Sequence, residues 1–552
     1  MSTPHPGKWR PVFVTPSHGE QPNVVLDTEH ISAHSAVICT DLQNQKWKVF
    51  YGYPTHREGQ NNKVQTRIWD PENPGEPPTH QDIPDWPIQN SARPTLFCGG
   101  HTFLSDGRIL WCGGMTLDDQ QSDAPHFPDT DIWGNKYTYL FNPTPQTPGQ
   151  EWNYANNHGN PYSMADDRYY PTLIHLGVIP QGSPIGKIIA LSGWKNFESI
   201  SKYELNREPE YFHEANGWSH FPYSGATQPF NGPFDYYPSI HLIPCGPNAG
   251  KLFISLPMKQ SYVFNPFWDG VPNGGYWQGV GTARSNYRLN GTSTLLPLLP
   301  PYTSAKVLIS GGSPSEQGYD SHALRSAEVI DIGSSSPQWT TMNNFLFFAR
   351  KNHVSLMLPN DKLFVVGGND YDFGDFPVYS AELVDTTQST LQSSMLPAHV
   401  YPREHHLTSL LLPDGSVFLG GSGELGGVHT IKHFEIYEPG YLFEGDPPEI
   451  LSSPLDISYG SAFSIETSHQ ISTIRLIKLG IVTHSTDMSQ LSVGLAFQAG
   501  PSNGSYLYTV TPPPNANIAP PGLYMLFVLK HKNQSISGET AIPSVAKIVK
   551  LS

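Results

Sequence analysis

An all-β fold is what this sequence predicts: a seven-bladed β-propeller followed by an immunoglobulin-like β-sandwich. Three observations predict it. The 552 residues include 50 glycines and 53 prolines, which punctuate the chain too often for long helices. A hairpin unit, two apolar runs around a turn and usually ending in Gly-Gly, occurs seven times. Past Pro447 that unit stops and evenly spaced alternating strands replace it.

The first unit begins near His30 (HISAHSAVICTDLQNQKWKVFYGY) and the second at Phe97 (FCGGHTFLSDGRILWCGG). The third starts at Tyr170 (YPTLIHLGVIPQGSPIGKIIALSGW) and the fourth at Tyr236 (YYPSIHLIPCGPNAGKLFISLP). The fifth follows at Asn290, the sixth at Asn352 (NHVSLMLPNDKLFVVGG) and the seventh at His405. Between units stands an expected third strand: RIWDPE, YTYLFNPT, SKYELN, SYVFNPF, AEVIDIG, AELVDTT, FEIYEPG. Several precede a tryptophan, at Trp86, Trp152, Trp218, Trp277 and Trp339. Repeats of roughly 45–70 residues with Gly-Gly strand ends carry the kelch signature of four strands per blade. Residues 1–29 are expected to form a strap, with Gly7–Pro16 closing the ring. Residues 30–447 form the propeller and 448–552 the sandwich, whose stretch Leu479–Gln490 (LGIVTHSTDMSQ) is a hairpin with a polar tip at His484.

The net charge is −16 and no Lys/Arg run appears, so nucleic acid is not an expected partner. No apolar stretch is long enough to span a bilayer, and a membrane is not expected either. The opening MSTPHPGKWRPVFV lacks an apolar core, so the chain as written is expected to be cytoplasmic, or secreted where a leader has been removed. A monomer is expected. The four cysteines, Cys39, Cys98, Cys112 and Cys245, are widely spaced without a CxxC and read as buried thiols rather than a disulfide framework.

Chemistry concentrates at Tyr401–Ser422 (YPREHHLTSLLLPDGSVFLGGS), where His405 and His406 stand side by side before an apolar strand. Neighbours in a regular strand point to opposite faces. Two adjacent imidazoles therefore reach one metal only at a strand's mouth, where the backbone is irregular; otherwise the pair is a surface or core feature.

Four dispersed motifs resemble those of the copper-radical oxidases, the family of galactose oxidase and glyoxal oxidase, and the resemblance covers nearly the whole chain. FCGG resembles the family's Phe-Cys, and Cys98 matches the cysteine thioether-linked to a tyrosine. DRYYPT resembles its Arg-x-Tyr: Arg168 sets the register, so Tyr170 matches the cross-linked, radical-bearing, copper-ligating tyrosine. PREHHLTSLLLPDG resembles its Arg-x-Tyr-His, with His406 at the equatorial histidine and His405 in place of the axial tyrosine. VTHSTDMSQ resembles its Val-Thr-His, and His484 matches the second equatorial histidine. Trp194, in LSGWKN, matches a tryptophan that stacks on the linked tyrosine.

The resemblance implies copper, a Cys98–Tyr170 thioether-linked tyrosyl radical, and oxidation of an alcohol or aldehyde with dioxygen reduced to hydrogen peroxide. Two imidazoles and a phenolate suit tetragonal Cu(II) with open positions. Sulfur ortho to a phenol extends its π-system and eases one-electron oxidation. His405 leaves three outcomes open: a proton acceptor in the tyrosine's place, a third nitrogen ligand to copper, or part of a three-histidine site that also suits zinc or iron. Two rival readings follow, a repurposed relative catalysing a non-oxidase cyclisation or lyase step, and a kelch interaction module without catalysis.

Overall fold

The computed structural model describes residues 5–552 except 11–32, 53–64, 75–77, 84–92, 118–131, 148, 155, 158–159, 184, 200–201, 230–236, 269, 271–274, 316–320, 372–374, 389–390, 424–430, 432, 503 and 532–540. Among the described residues strands dominate, and the one helical segment is a short 3-10 turn at Gly440–Phe443. The fold is all-β. Four-stranded antiparallel meanders succeed one another along the chain, called blades 1 to 7 below. Their innermost strands are His34–Asp41, Gly100–Phe103, Thr172–His175, Ser239–Leu242, Thr292–Leu295, Val354–Met357 and Thr408–Leu411. Lys8–Trp9 supplies the fourth strand of blade 7, pairing antiparallel with Tyr437 and Glu438. Residues 11–16 of the expected closing segment, and Trp86, lie outside the described residues.

One expected strand is placed differently. SKYELN is not the third strand of blade 3; that strand is Glu210–His213, which pairs with Ile188–Ala190. Lys202–Leu205 instead folds back on Trp194–Ser199, and this hairpin extends the blade 2 sheet at Ile132–Trp133. The reason is local: the backbone of Trp194 bridges Tyr169 in both directions (2.8 and 2.7 Å), which turns the chain away from its own blade before the third strand begins.

The Gly-Gly ends join blade to blade. Gly114, Gly312 and Gly368 each donate an N–H to the carbonyl of an arginine at the next blade's mouth: Arg168 (2.9 Å), Arg350 (2.9 Å) and Arg403 (2.6 Å). A Cβ on Gly113 or Gly311 would stand 2.4 or 2.3 Å from the same carbonyls, and both residues have positive φ, so a side chain is excluded there. The arginine side chains turn back into their own blades. Arg350 donates to Gly367 O (2.9 Å) and Glu382 (2.6 Å), and Arg403 to Gly421 O (2.8 Å) and Glu435 (3.0 Å). Arg168 with Glu210 and Arg288 with Glu328 repeat the clamp. These ion pairs are buried, and their hydrogen bonds are what make buried charge tolerable.

The C-terminal unit is two packed sheets. One contains Ile450–Ser452, Phe463–Thr467, Tyr506–Thr511 and Ala496–Ser502; the other is built on Gly522–His531, Thr473–Lys478 and Lys547–Leu551. Its apolar interior is continuous with that of blades 4 and 5, through Ile243, Phe253, Val307 and Ile330. An Arg475–Asp361 ion pair fastens it to a turn of blade 6. From this unit one hairpin, Ile481–Thr483 with Thr486–Asp487, reaches out and pairs antiparallel with His34–Ala36, the inner edge of blade 1.

Candidate metal centre

The site is built on a repeated backbone irregularity. Two residues before the innermost strands of blades 2 to 7 stand Cys98 (φ 57°), Tyr170 (66°), Tyr237 (43°), Asn290 (57°), Asn352 (57°) and His406 (63°). All are in the left-handed region, which costs a residue other than glycine about 1–3 kcal/mol. Neighbouring mouths share one hydrogen bond: Tyr170 N–H donates to Cys98 O (2.9 Å), Tyr237 N–H to Tyr170 O (2.9 Å), and Asn352 N–H to Asn290 O (2.8 Å). His484 and Ser485 (φ 47° and 65°) form the two-residue tip of the inserted hairpin. That is the geometry usually given to Asn-Gly, here made by His-Ser.

These irregular positions bring three side chains together from blade 2, blade 7 and the sandwich. One ligand atom each of Cys98, His406 and His484 lies within 4.8 Å of the others. Cys98 Sγ is 3.2 Å from His484 Nε2. The imidazole tautomers follow from the partners. His406 Nδ1–H donates to Gly423 O (2.6 Å), which leaves Nε2 as its lone-pair nitrogen. The Thr483 hydroxyl donates to Ala33 O (3.1 Å), so it accepts from His484 Nδ1–H (2.7 Å), and His484 Nε2 is the lone-pair atom facing the sulfur. A histidine whose far nitrogen is held in this way is the usual form of a metal ligand.

Tyr170 joins this group. Its phenol and that of Tyr169 interact electrostatically with the Cys98 thiol, and its ring lies 5.2 Å from that of His484. His405 packs against His406 (ring centroids 4.1 Å) and His484 (5.4 Å). The adjacent pair thus gathers at a strand mouth, where His406 leaves the regular conformation. Trp194 differs from expectation: it meets Tyr170 edge-on, at 5.5 Å and 89°, rather than stacked. The backbone bridge to Tyr169 holds the indole beside the tyrosine pair instead of over it.

Electrostatically the site suits a cation. Burial pulls the His405 and His484 imidazoles well below their ordinary range, helped by the neighbouring His406, and pulls His406 down to about 4. Burial pushes the Cys98 thiol and the Tyr169 and Tyr170 phenols up. Neutral imidazoles offer lone pairs, while a thiol and phenols ionise in such surroundings only when positive charge arrives. The donor set of nitrogen, sulfur and phenol oxygen fits a transition metal rather than calcium or magnesium.

Several residues of the site are not singled out by motif: Tyr169, Tyr237, Thr483, and a second buried pair, His34 and His101. The Arg–Glu clamps that hold the mouths were also missed. Their signal was available, because Arg168, Arg288 and Arg350 each stand two residues before a left-handed residue, and Glu328, Glu382 and Glu435 share one strand position in AEVID, AELVD and FEIYE.

Comparison with known proteins agrees with this geometry. A family model described as Glyoxal oxidase N-terminus matches residues 96–427, and one described as Galactose oxidase-like, Early set domain matches residues 447–551. A galactose oxidase of Gibberella zeae is 34% identical over 259 residues, covering 45% of this chain and 36% of that protein. An aldehyde oxidase GLOX of Vitis pseudoreticulata is 27% identical over 350 residues, 57% of this chain and 62% of that protein. The chain spans less than two thirds of the length of either relative. A fungal alcohol oxidase solved in complex with copper shares the fold, with a TM-score of 0.70 at 19% identity over 99% of both chains. With a family model matching more than half of its length, the chain belongs to the glyoxal oxidase N-terminus family, with a galactose oxidase-like early set domain behind it.

Proposed function

We propose that this protein is a copper-dependent, radical-type oxidase of a small alcohol or aldehyde, passing the electrons to dioxygen and releasing hydrogen peroxide. The observation that carries the reading is the convergence of Cys98, His406, His484 and Tyr170 from blades 2, 3 and 7 and a separate sandwich unit. A binding scaffold has no need of it. Copper held there would supply one-electron redox chemistry, and Tyr170, once oxidised, would accept the second of the two electrons that leave the substrate. His406 and His484 would hold the metal through Nε2, and Tyr170 through its phenol oxygen.

The residues do the rest. Cys98 sulfur lies beside Tyr170 for a thioether: its S–H and an ortho C–H of Tyr170 are replaced by one C–S bond, and two electrons and two protons pass to dioxygen, giving hydrogen peroxide. Burial keeps water from the linked ring, and Trp194 covers its edge. His405, neutral and next to His406, accepts the substrate hydroxyl proton on an imidazole nitrogen.

The test is to load the purified chain with copper in air. The expected result is about one copper per chain, a mass loss of two hydrogens with Cys98 and Tyr170 in one branched peptide, and peroxide release with a panel of alcohols and aldehydes. His405→Ala is expected to keep copper and lose roughly 10²–10⁴-fold in turnover. Cys98 still alkylated by iodoacetamide after this treatment would refute the radical reading. The close grouping of His405, His406 and His484 favours a second reading, a three-histidine site for zinc with non-redox chemistry. Stoichiometric zinc in the purified protein together with a free Cys98 would favour it.

A further inference from the structure

Behind the metal centre lies a second buried histidine pair. His34 opens the innermost strand of blade 1, and its Nε2 accepts the backbone N–H of Cys98 at 3.2 Å. A neutral imidazole that accepts on one nitrogen carries its proton on the other. His34 Nδ1–H therefore donates to His101 Nε2, 3.0 Å away. His101 in turn must carry its proton on Nδ1, and that atom is buried with no hydrogen-bond partner among the described residues. Such an orphaned donor costs about 1–3 kcal/mol. It is tolerated because it fixes the tautomer of the histidine in front of it.

The same stretch of blade 1 also holds His484. Ala33 O anchors the Thr483 hydroxyl, which anchors His484 Nδ1, and His34 lies opposite Thr483 in the strand register. Two consecutive residues thus hold the sulfur donor through its backbone and the imidazole donor through its hydroxyl neighbour. Their product is the 3.2 Å separation of Cys98 Sγ and His484 Nε2. Cys98 needs that hold, since its left-handed φ of 57° is a costly one.

We infer that His34, backed by His101, is a positioning residue that fixes the Cys98 sulfur against His484 Nε2 and so decides whether, in the protein before any thioether forms, sulfur and imidazole can share one metal. The inference rests on the metal reading proposed above, but not on its radical chemistry.

Cobalt(II), titrated anaerobically into the full-length apo protein, reports on it, because a thiolate ligand gives cobalt an intense charge-transfer band and imidazole does not. Wild type is expected to show the band. His34→Leu removes the acceptor for Cys98 N–H and is expected to lose most of the band and about 10–100-fold in cobalt affinity. His34→Gln, whose Oε1 can accept and whose Nε2 can donate, is expected to restore both. A wild type without the band, or a folded His34→Leu protein with wild-type band and affinity, would overturn the inference. Should His34→Leu not fold by near-ultraviolet circular dichroism, His101→Leu decides: a weakened band supports the inference, and an unchanged band overturns it. If copper and air leave Cys98 unlinked while the cobalt series behaves as expected, the oxidase reading fails and the positioning role stands.

Discussion

Asn290 and Asn352, at the mouths of blades 5 and 6, occupy the backbone position that Cys98, Tyr170 and His406 occupy in blades 2, 3 and 7. The φ values match within about ten degrees, and the hydrogen bond between adjacent mouths is 2.8 Å on the asparagine side and 2.9 Å on the site side. Asparagine tolerates left-handed backbone better than other residues with a Cβ, because its short polar side chain bonds locally. Here Asn352 bonds Asn369 at 3.0 Å. Cysteine and tyrosine carry no such short amide. The ring therefore offers equivalent positions all round, filled on one side for stability and on the other for chemistry.

The largest effect expected from this contrast is loss of the metal. A His406→Ala, His484→Ala double variant should bind no stoichiometric copper by elemental analysis, while an Asn290→Ala, Asn352→Ala variant should bind it as wild type does. Equal copper in both would end the distinction. Next come the clamps beneath the mouths. Arg350→Met and Arg403→Met each leave a buried glutamate unpaired and should cost about 3–5 kcal/mol in chemical denaturation. Copper affinity should fall only with Arg403→Met, since Arg403 stands two residues before His405 and three before His406. A matching fall with Arg350→Met would mean that the ring transmits strain across blades.

A smaller effect sharpens the shared-strain argument. At Cys98 and at Asn290 alike, the glycine variant should be more stable than the alanine variant by about 1 kcal/mol, since only glycine relieves the left-handed backbone. The order reversed at either position would show that the backbone strain is not common to both.

The smallest effect is a pH dependence at the inserted hairpin. Burial raises the Asp487 carboxyl from its ordinary 3.8 to about 7. A carboxyl raised in the folded state stabilises at low pH and loses that contribution as pH rises from about 4 through 7. Across that window the wild-type Tm should fall by about 1–2 °C relative to Asp487→Asn, which does not titrate. Parallel Tm profiles would contradict the assignment.

Much of this was legible in the chain itself. Turn chemistry and strand period repeat in every blade, so the all-β class followed from Gly-Gly ends and Asp-Gly turns. Cys98, Tyr170, His406 and His484 were readable because each sits in a short motif of distinctive composition. His34 was not, since its contribution depends on a pairing with Thr483 that no local pattern encodes. Tyr169 was passed over because Arg168 sets the motif's register on Tyr170, while the left-handed turn at Tyr170 brings both phenols to the site. The misplaced SKYELN strand failed for a related reason: its composition fits a third strand, and only the Trp194–Tyr169 bridge diverts it.

The pairing of the sandwich hairpin with blade 1 also orders events in time. His484 follows Cys98 by 386 residues. At roughly 5–20 residues per second of synthesis, it emerges about 20–80 s later. During that interval the nascent ring carries a thiol and, in due course, Tyr170 and His406, but not the imidazole that completes the donor set. The ring cannot assemble this centre before translation reaches the sandwich, so a unit made after the blades decides when the donor set is complete.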